Sequence, residues 1–202
     1  MTAPGWPVRL QYGELTLRPI SWRDAAQLAE LWERNRQWFE PWEGTSPRGP
    51  VDHPRNWRRT AILRRRAARR GEELPWVIVW RGKLAGLLAV SSIMRGAVCA
   101  ASAGYWLDQA LAGQGIVPTA LALAFDHVVG PVGLHRLELA IQPTNQPSLR
   151  VAAKLGFRSE GLRRGFIYVR GQWVDHQVFA LTAEDVPEGL LNRWLATGGR
   201  ST

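Results

Sequence analysis

Between Gly104 and Thr119 the chain reads Gly-Tyr-Trp-Leu-Asp-Gln-Ala-Leu-Ala-Gly-Gln-Gly-Ile-Val-Pro-Thr: an apolar strand, a turn with two glycines, and the start of a helix. Any fold for this chain must set that strand and that helix end to end across a short turn. Pro118 has no N–H and suits the first helical turn, so the useful backbone donors precede it. Leu121, Phe125 and Val128 then repeat at helical spacing toward Val129. Consecutive N–H groups at such a turn, together with the positive end of the helix, form a concavity suited to an anion such as pyrophosphate. Gly113 and Gly115 would let that anion approach without interference from Cβ atoms. The turn is no Walker loop, since Gly-Lys-Ser/Thr is absent, and it lacks the third glycine of a dinucleotide fingerprint. Taken alone, it also reads as an ordinary tight strand–helix connection.

The flanking periodicities set this turn inside a sheet. Leu15, Leu17 and Pro19–Ile20 predict a first strand, with Thr16 and Arg18 alternating outward. Ser21 opens a helix with Asp24 as capping-box partner, and Leu28, Leu31 and Trp32 form its apolar stripe to about Arg36. Residues 37–54 carry four prolines and two glycines and read as a loop, with Trp38, Phe39 and Trp42 as exposed-looking aromatics beside Glu40 and Glu43. A second helix over 55–70 puts Trp57, Ala61 and Ala68 near one face and Arg58, Arg59, Arg65, Arg66 and Arg69 on the other. Strands follow at 76–80 and 84–90, about an Arg81-Gly82-Lys83 turn, and at 97–107. Beyond the glycine turn come a strand at 135–141, a short helix at 147–155 ended by Gly156, a hairpin of 167–169 with 173–181, and a terminal helix at 190–195. This order predicts an α/β (α+β) domain with one mixed, mostly antiparallel twisted sheet of about seven strands, entered by two helical crossovers.

Composition narrows the partners. A formal charge of +9, carried almost wholly by arginine, favours an anionic partner such as a phosphorylated cofactor, an acidic peptide or ribosomal RNA, beside the plain reading of a solvated basic surface. The single cysteine, Cys99, excludes an internal disulfide and offers no metal cluster; it reads as small core filler. No metal is expected. The first residues lack the charged-then-apolar order of a secretory signal, and no uncharged run of 18 apolar residues exists, so the expectation is a cytoplasmic protein outside the membrane. With eleven tryptophans, several must reach the surface.

A second segment changes the weight of the glycine turn. His135-Arg-Leu-Glu-Leu is followed by Asn145-Gln-Pro-Ser148, then by Lys154-Leu-Gly-Phe157 and Glu160-Gly161. In this order, with Asn35-Arg36, Pro41-Trp42-Glu43, Gly171-Gln-Trp173 and Asp175-His176, the chain resembles the RimJ/RimL group of the GNAT superfamily of N-acetyltransferases, RimJ most of all. The resemblance covers nearly the whole chain. It implies one GNAT domain over 1–202, with a core at about 14–183 and a tail at 184–202, and a cleft for acetyl-CoA where the fourth and fifth strands splay apart. It also implies that backbone groups of Trp106 and Leu107 meet the pantetheine, that amides of Gly113, Gln114, Gly115, Ile116 and Val117 hold the pyrophosphate, and that Asn145 fixes the arm near the thioester. Ala112 and Val117 depart from the usual residues at the ends of that loop.

Transfer of an acetyl group to an amine needs a neutral nucleophile and a hydroxyl near the departing sulfur. Many relatives place a tyrosine seven residues after the Asn, where this chain has Ala152; the RimL-type pattern points to Ser148 instead. The RimL-like glutamate before Gly-Tyr-Trp is replaced by Ser102, which leaves Glu43, Glu138, Asp175 and His176 as candidate bases. Glu43 is the catalytic candidate beside Ser148, and Trp42 and Asp175 are the candidate acceptor contacts. An α-amine, with a pKa of about 7.7–8.0, needs far less help than a lysine at about 10.4, which favours protein N-termini, a ribosomal protein among them. A small amine such as an aminoglycoside, or a non-catalytic acyl-CoA-binding or ribosome-associated factor, remain alternatives. The basic surface is a candidate ribosome contact, and both monomer and homodimer are open.

Overall fold

The computed structural model describes residues 5–48 and 56–199. Its strands are β1 (Leu10–Tyr12), β2 (Leu15–Pro19), β3 (Leu74–Trp80), β4 (Lys83–Met94), β5 (Ala100–Leu107), β6 (Arg136–Ile141), β7 (Arg158–Val169) and β8 (Gln172–Thr182). They form one sheet in the order β1-β2-β3-β4-β5-β6-β8-β7, antiparallel throughout except for the parallel pair β5–β6. The helices are α1 (Ala25–Arg34), α2 (Arg36–Phe39), α3 (Trp57–Arg69), α4 (Ile116–Val129), α5 (Gln146–Leu155) and α6 (Leu190–Ala196).

Alternation along the strands divides the apolar residues between two faces. Leu15, Leu17, Trp76, Ile78, Leu88 and Val90 pack with Leu121 and Phe125 of α4. Val77, Leu87 and Ala89 point the other way, to Leu28 and Trp32 of α1 and to Trp57 and Ala61 of α3. α4 is buried along most of its length, as its continuous apolar run requires. Trp57, Ala61 and Ala68 are the buried residues of α3, on the face expected. Ser21 and Asp24 form the anticipated capping box at the entry to α1, and Gly156 ends α5 in the left-handed region.

β5 and β6 pair only from Ala100–Ser102 against Arg136–Glu138, although they run on to Leu107 and Ile141. Beyond that point β5 stays bonded to β4 and β6 to β8. The sheet therefore opens a wedge between two strands that are each held from the far side. This is the splay that the family resemblance implies.

Several expectations need correction. The sheet has eight strands, not about seven, because the short, mostly exposed β1 carries no alternating apolar pattern. β7 begins at Arg158 rather than at 167; its first nine residues are exposed, so no burial period marks them. The loop expected from residue 37 instead begins as α2 and a 3-10 turn over Glu40–Trp42. Within it Phe39 is buried rather than exposed, because its ring packs on Trp32 and Trp106. The rest of that loop beyond residue 48, and Arg55 at the expected start of the second helix, lie outside the described residues. α4 begins two residues before Pro118, and β5 begins at Ala100, leaving Val98 and Cys99 ahead of it. Cys99 is half-buried with φ +45°, its thiol donating to Gly133 O at 3.4 Å, and it packs against the margin of the core rather than inside it.

Candidate active site

A cleft of about 580 Å³ passes through the splay. One end is the turn between β5 and α4. Gly113 and Gly115 have φ +84° and +77°, left-handed values at which a side chain would be strained. The first α4 bond is from Thr119 N to Gly115 O. None of the amides of residues 113–117 donates to another described group. Five donors in series at the start of a buried helix fit a pyrophosphate, both in charge and in hydrogen-bonding capacity. Gly113, Gly115, Ile116 and Val117 line the cleft, whereas Gln114 lies between them outside its lining.

The middle of the cleft is the free edge of β5. Gly104, Tyr105, Trp106 and Leu107 line it, and their edge toward β6 is unpaired. A Cβ built on Gly104 meets nothing within 4 Å, so the missing side chain contributes open space to the passage. Asn145 and Ser148 stand opposite at the start of α5. Asn145 Oδ1 accepts the Ser148 amide at 3.2 Å and caps the helix. The Ser148 hydroxyl is thereby left out of the cap and available to the cleft.

The far end is aromatic. Trp32, Phe39, Trp57 and Trp106 form a cluster with ring centroids 4.9–6.0 Å apart. Such pairs add about 0.5–1.5 kcal/mol each beyond simple burial, which makes this wall stiff. Trp38, Trp42, Glu43 and Gly44 close over it. Their segment is fastened on two sides: Gln142 Nε2 donates to Pro41 O at 3.1 Å, and Thr45 N donates to Tyr168 O at 2.7 Å beside a Gly44–Val169 bridge. Glu43 is half-buried, and burial, then the neighbouring Glu40 carboxylate, raises it to about 7 against the opposing pull of Arg36.

Both ends are tied by a buried link that the sequence did not announce. Asn35, at the end of α1, donates to Leu31 O at 2.9 Å and Asp108 Oδ1 at 3.1 Å, and accepts the Gln109 amide at 2.9 Å. Arg34 pairs with the other Asp108 oxygen. Burial alone would raise Asp108, but bonds from Arg34, Asn35 and the Ala110 amide hold it below its ordinary value. The α1–α2 junction and the segment that leads into the glycine turn therefore share one anchor.

The cleft does not gather every residue singled out above. Asp175 is absent from its lining; its carboxylate accepts the Gly165 amide at 2.7 Å across the β7–β8 hairpin. Glu138 pairs with Arg136 at 2.9 Å, away from the cleft. His176 is buried on β8, its Nδ1 donating to Val174 O at 3.0 Å, and borders a second pocket of about 200 Å³ within the splay. Two groups went unnoticed. Tyr105 Oη and Thr60 Oγ1 are buried without a hydrogen-bond partner, and both residues line the main cleft. Tyr105 had a legible signal: it alternates with Gly104 and Trp106, so it must face the α4–α5 side of the sheet.

A mixed sheet splayed between β5 and β6, with a cleft running through the splay, fits the acyltransferase class. The chain belongs to the Acetyltransferase (GNAT) domain family, whose match covers residues 14–158, and is an N-acetyltransferase of the RimJ/RimL type. It is similar to the structure of Mycobacterium smegmatis RimJ in complex with CoA-disulfide, with 36% identity, a TM-score of 0.92 and 98% of each chain covered. The [Ribosomal protein uS5]-alanine N-acetyltransferase of Escherichia coli (strain K12) is 28% identical over 90% of this chain and 94% of its own length. The Probable N-acetyltransferase YjcK of Bacillus subtilis (strain 168) is 40% identical, over 51% of this chain and 57% of its own.

Proposed function

We propose that the protein transfers the acetyl group of acetyl-CoA to the α-amine of a protein N-terminus, a ribosomal protein being the favoured acceptor, in the cytoplasm. One observation carries this reading: a half-buried Glu43, raised to about 7, faces the same cleft as Ser148. Bound acetyl-CoA supplies the activated acyl group; the five amides of residues 113–117 hold its pyrophosphate and Asn145 orients the arm. Glu43 takes the proton that the amine gives up on attack. Ser148 offers its hydroxyl to the sulfur. A base near 7 suits an α-amine of pKa about 7.7–8.0, which is partly neutral at working pH, and suits a lysine of about 10.4 poorly. Trp42 forms a wall for the peptide beyond its first residue. The E. coli relative is named for an alanine of a ribosomal protein, which supports the acceptor class. Exposed arginines such as Arg66 and Arg69 of α3 give the basic surface a route to ribosomal RNA.

The test is steady-state kinetics with Ala- and Ser-starting peptides, an N-terminally blocked lysine peptide, and an aminoglycoside panel. Free α-amines should react with kcat/KM at least about 10²-fold above the lysine peptide, following the neutral fractions of the two amines. Trp42→Ala should lower peptide kcat/KM about tenfold and leave the KM for acetyl-CoA unchanged. Acetylation confined to small amines, or a Trp42→Ala variant with wild-type peptide kinetics, refutes the assignment.

A further inference from the structure

Among the described residues, Tyr105 Oη and Thr60 Oγ1 are the side-chain oxygens buried without a partner. Native interiors leave few such atoms, because a buried hydroxyl without a bond forfeits its hydration for nothing. Phenylalanine would fill the Tyr105 site without that penalty, so the hydroxyl calls for a partner that arrives from outside the chain.

Its position says which. Strand alternation turns Tyr105 to the α4–α5 face, where it packs beside the core that contains α4, while Trp106 turns to the aromatic chamber. Tyr105 is therefore on the side of the anion cradle and of Ser148. It borders the main cleft and the smaller pocket in the splay, as do Asn145 and Ser148. Ser148 is close enough to influence the phenol without completing a hydrogen bond to it. Two neighbouring hydroxyls that border one passage can both donate to a single acceptor atom placed there.

We propose that Tyr105 is a catalytic residue whose hydroxyl, with that of Ser148, donates a hydrogen bond to the sulfur of acetyl-CoA as the acetyl group is transferred. The role rests on the reaction proposed above. In that reaction the amine nitrogen bonds to the carbonyl carbon and the carbon–sulfur bond breaks. The electron pair remains on sulfur, and the amine proton goes to Glu43; sulfur gains its proton from solvent once the products leave. A fixed donor aimed at the atom where charge develops acts most strongly in a site with little water. Burial pushes the phenol up to about 12, with Ser148 opposing, so Tyr105 keeps its proton and acts as a donor at all working pH values.

The experiment uses Tyr105→Phe in the full chain. Expected are a kcat about 10²-fold lower, the scale of losing one donor to developing charge, an unchanged pH profile, an acetyl-CoA KM near wild type, and a melting temperature equal or higher without ligand. A second readout is the thiolate absorbance of bound CoA, whose thiol should titrate at higher pH in the variant than in the wild type. Wild-type kcat, or a lowered kcat with an unmoved thiol titration, overturns the proposal. Loss of CoA binding in the variant does so too, by making Tyr105 a structural residue. A wild-type protein that acetylates peptides while Tyr105→Phe does so equally well removes this role alone. A wild-type protein that acetylates nothing removes the reaction as well.

Discussion

Replacing Glu43 by Gln separates the proposed base from every other part of the site. Glu43 is raised to about 7 by burial and then by Glu40, so it is about nine-tenths ionised at pH 8 and one-tenth ionised at pH 6. If it accepts the proton of a neutral amine, wild-type kcat/KM depends on two deprotonations below pH 7, its own and that of the substrate. Its logarithm should then rise with a slope near 2, against a slope near 1 in Glu43→Gln. A positioned base contributes about 10²-fold or more, so the variant should lose about 10²-fold at pH 8 and only about tenfold at pH 6. Stability must move the opposite way. A carboxyl whose folded pKa lies above its unfolded value binds protons more readily when folded, so stability falls as pH rises from the unfolded to the folded pKa. The full shift is worth about 3 kcal/mol, but solvent screening of a half-buried group leaves roughly 1 kcal/mol. In a chain of this size that is about 2–4 °C, so Glu43→Gln should melt that much higher at pH 8 and equally at pH 4. The assays are a pH series of peptide kinetics and thermal melts at the same pH values. Equal slopes in the two proteins, or no gain in melting temperature at pH 8, refute the argument.

Two further substitutions probe the cofactor side. Gly115→Glu places bulk and negative charge at a φ of +77° in the proposed pyrophosphate site, so acetyl-CoA should no longer raise the melting temperature; an undiminished shift excludes the turn from binding. Asn35→Ala removes three hydrogen bonds, two of them buried, that tie Asn35 to Leu31, Asp108 and Gln109, and should cost about 2 kcal/mol, seen as a lower melting temperature together with a higher KM for acetyl-CoA. Loss of stability with an unchanged KM would show that the α1 anchor does not support the anion turn.

Local signals carried much of this architecture. Ser21 and Asp24, Pro118 and Gly156 each marked a helix end through chemistry confined to a few neighbouring residues. Alternation marked β6, and apolar runs about the Arg81-Gly82-Lys83 turn marked β3 and β4, which are buried on both faces. The same logic hid β1 and most of β7, which bury too little to imprint a pattern. The glycine turn was legible as a run of free amides as well, since those donors are consecutive in the chain. What the tertiary structure decided is what depends on distant residues meeting. Phe39 became a buried wall only because Trp32 and Trp106 reach it from α1 and β5. Asn35 met Asp108 across the length of the α1–β5 segment, and Asp175 turned to Gly165 instead of the cleft. The raised pKa of Glu43 and the partnerless hydroxyl of Tyr105 are properties of burial among other elements, where desolvation and the absence of a neighbouring acceptor act; a one-dimensional pattern records neither.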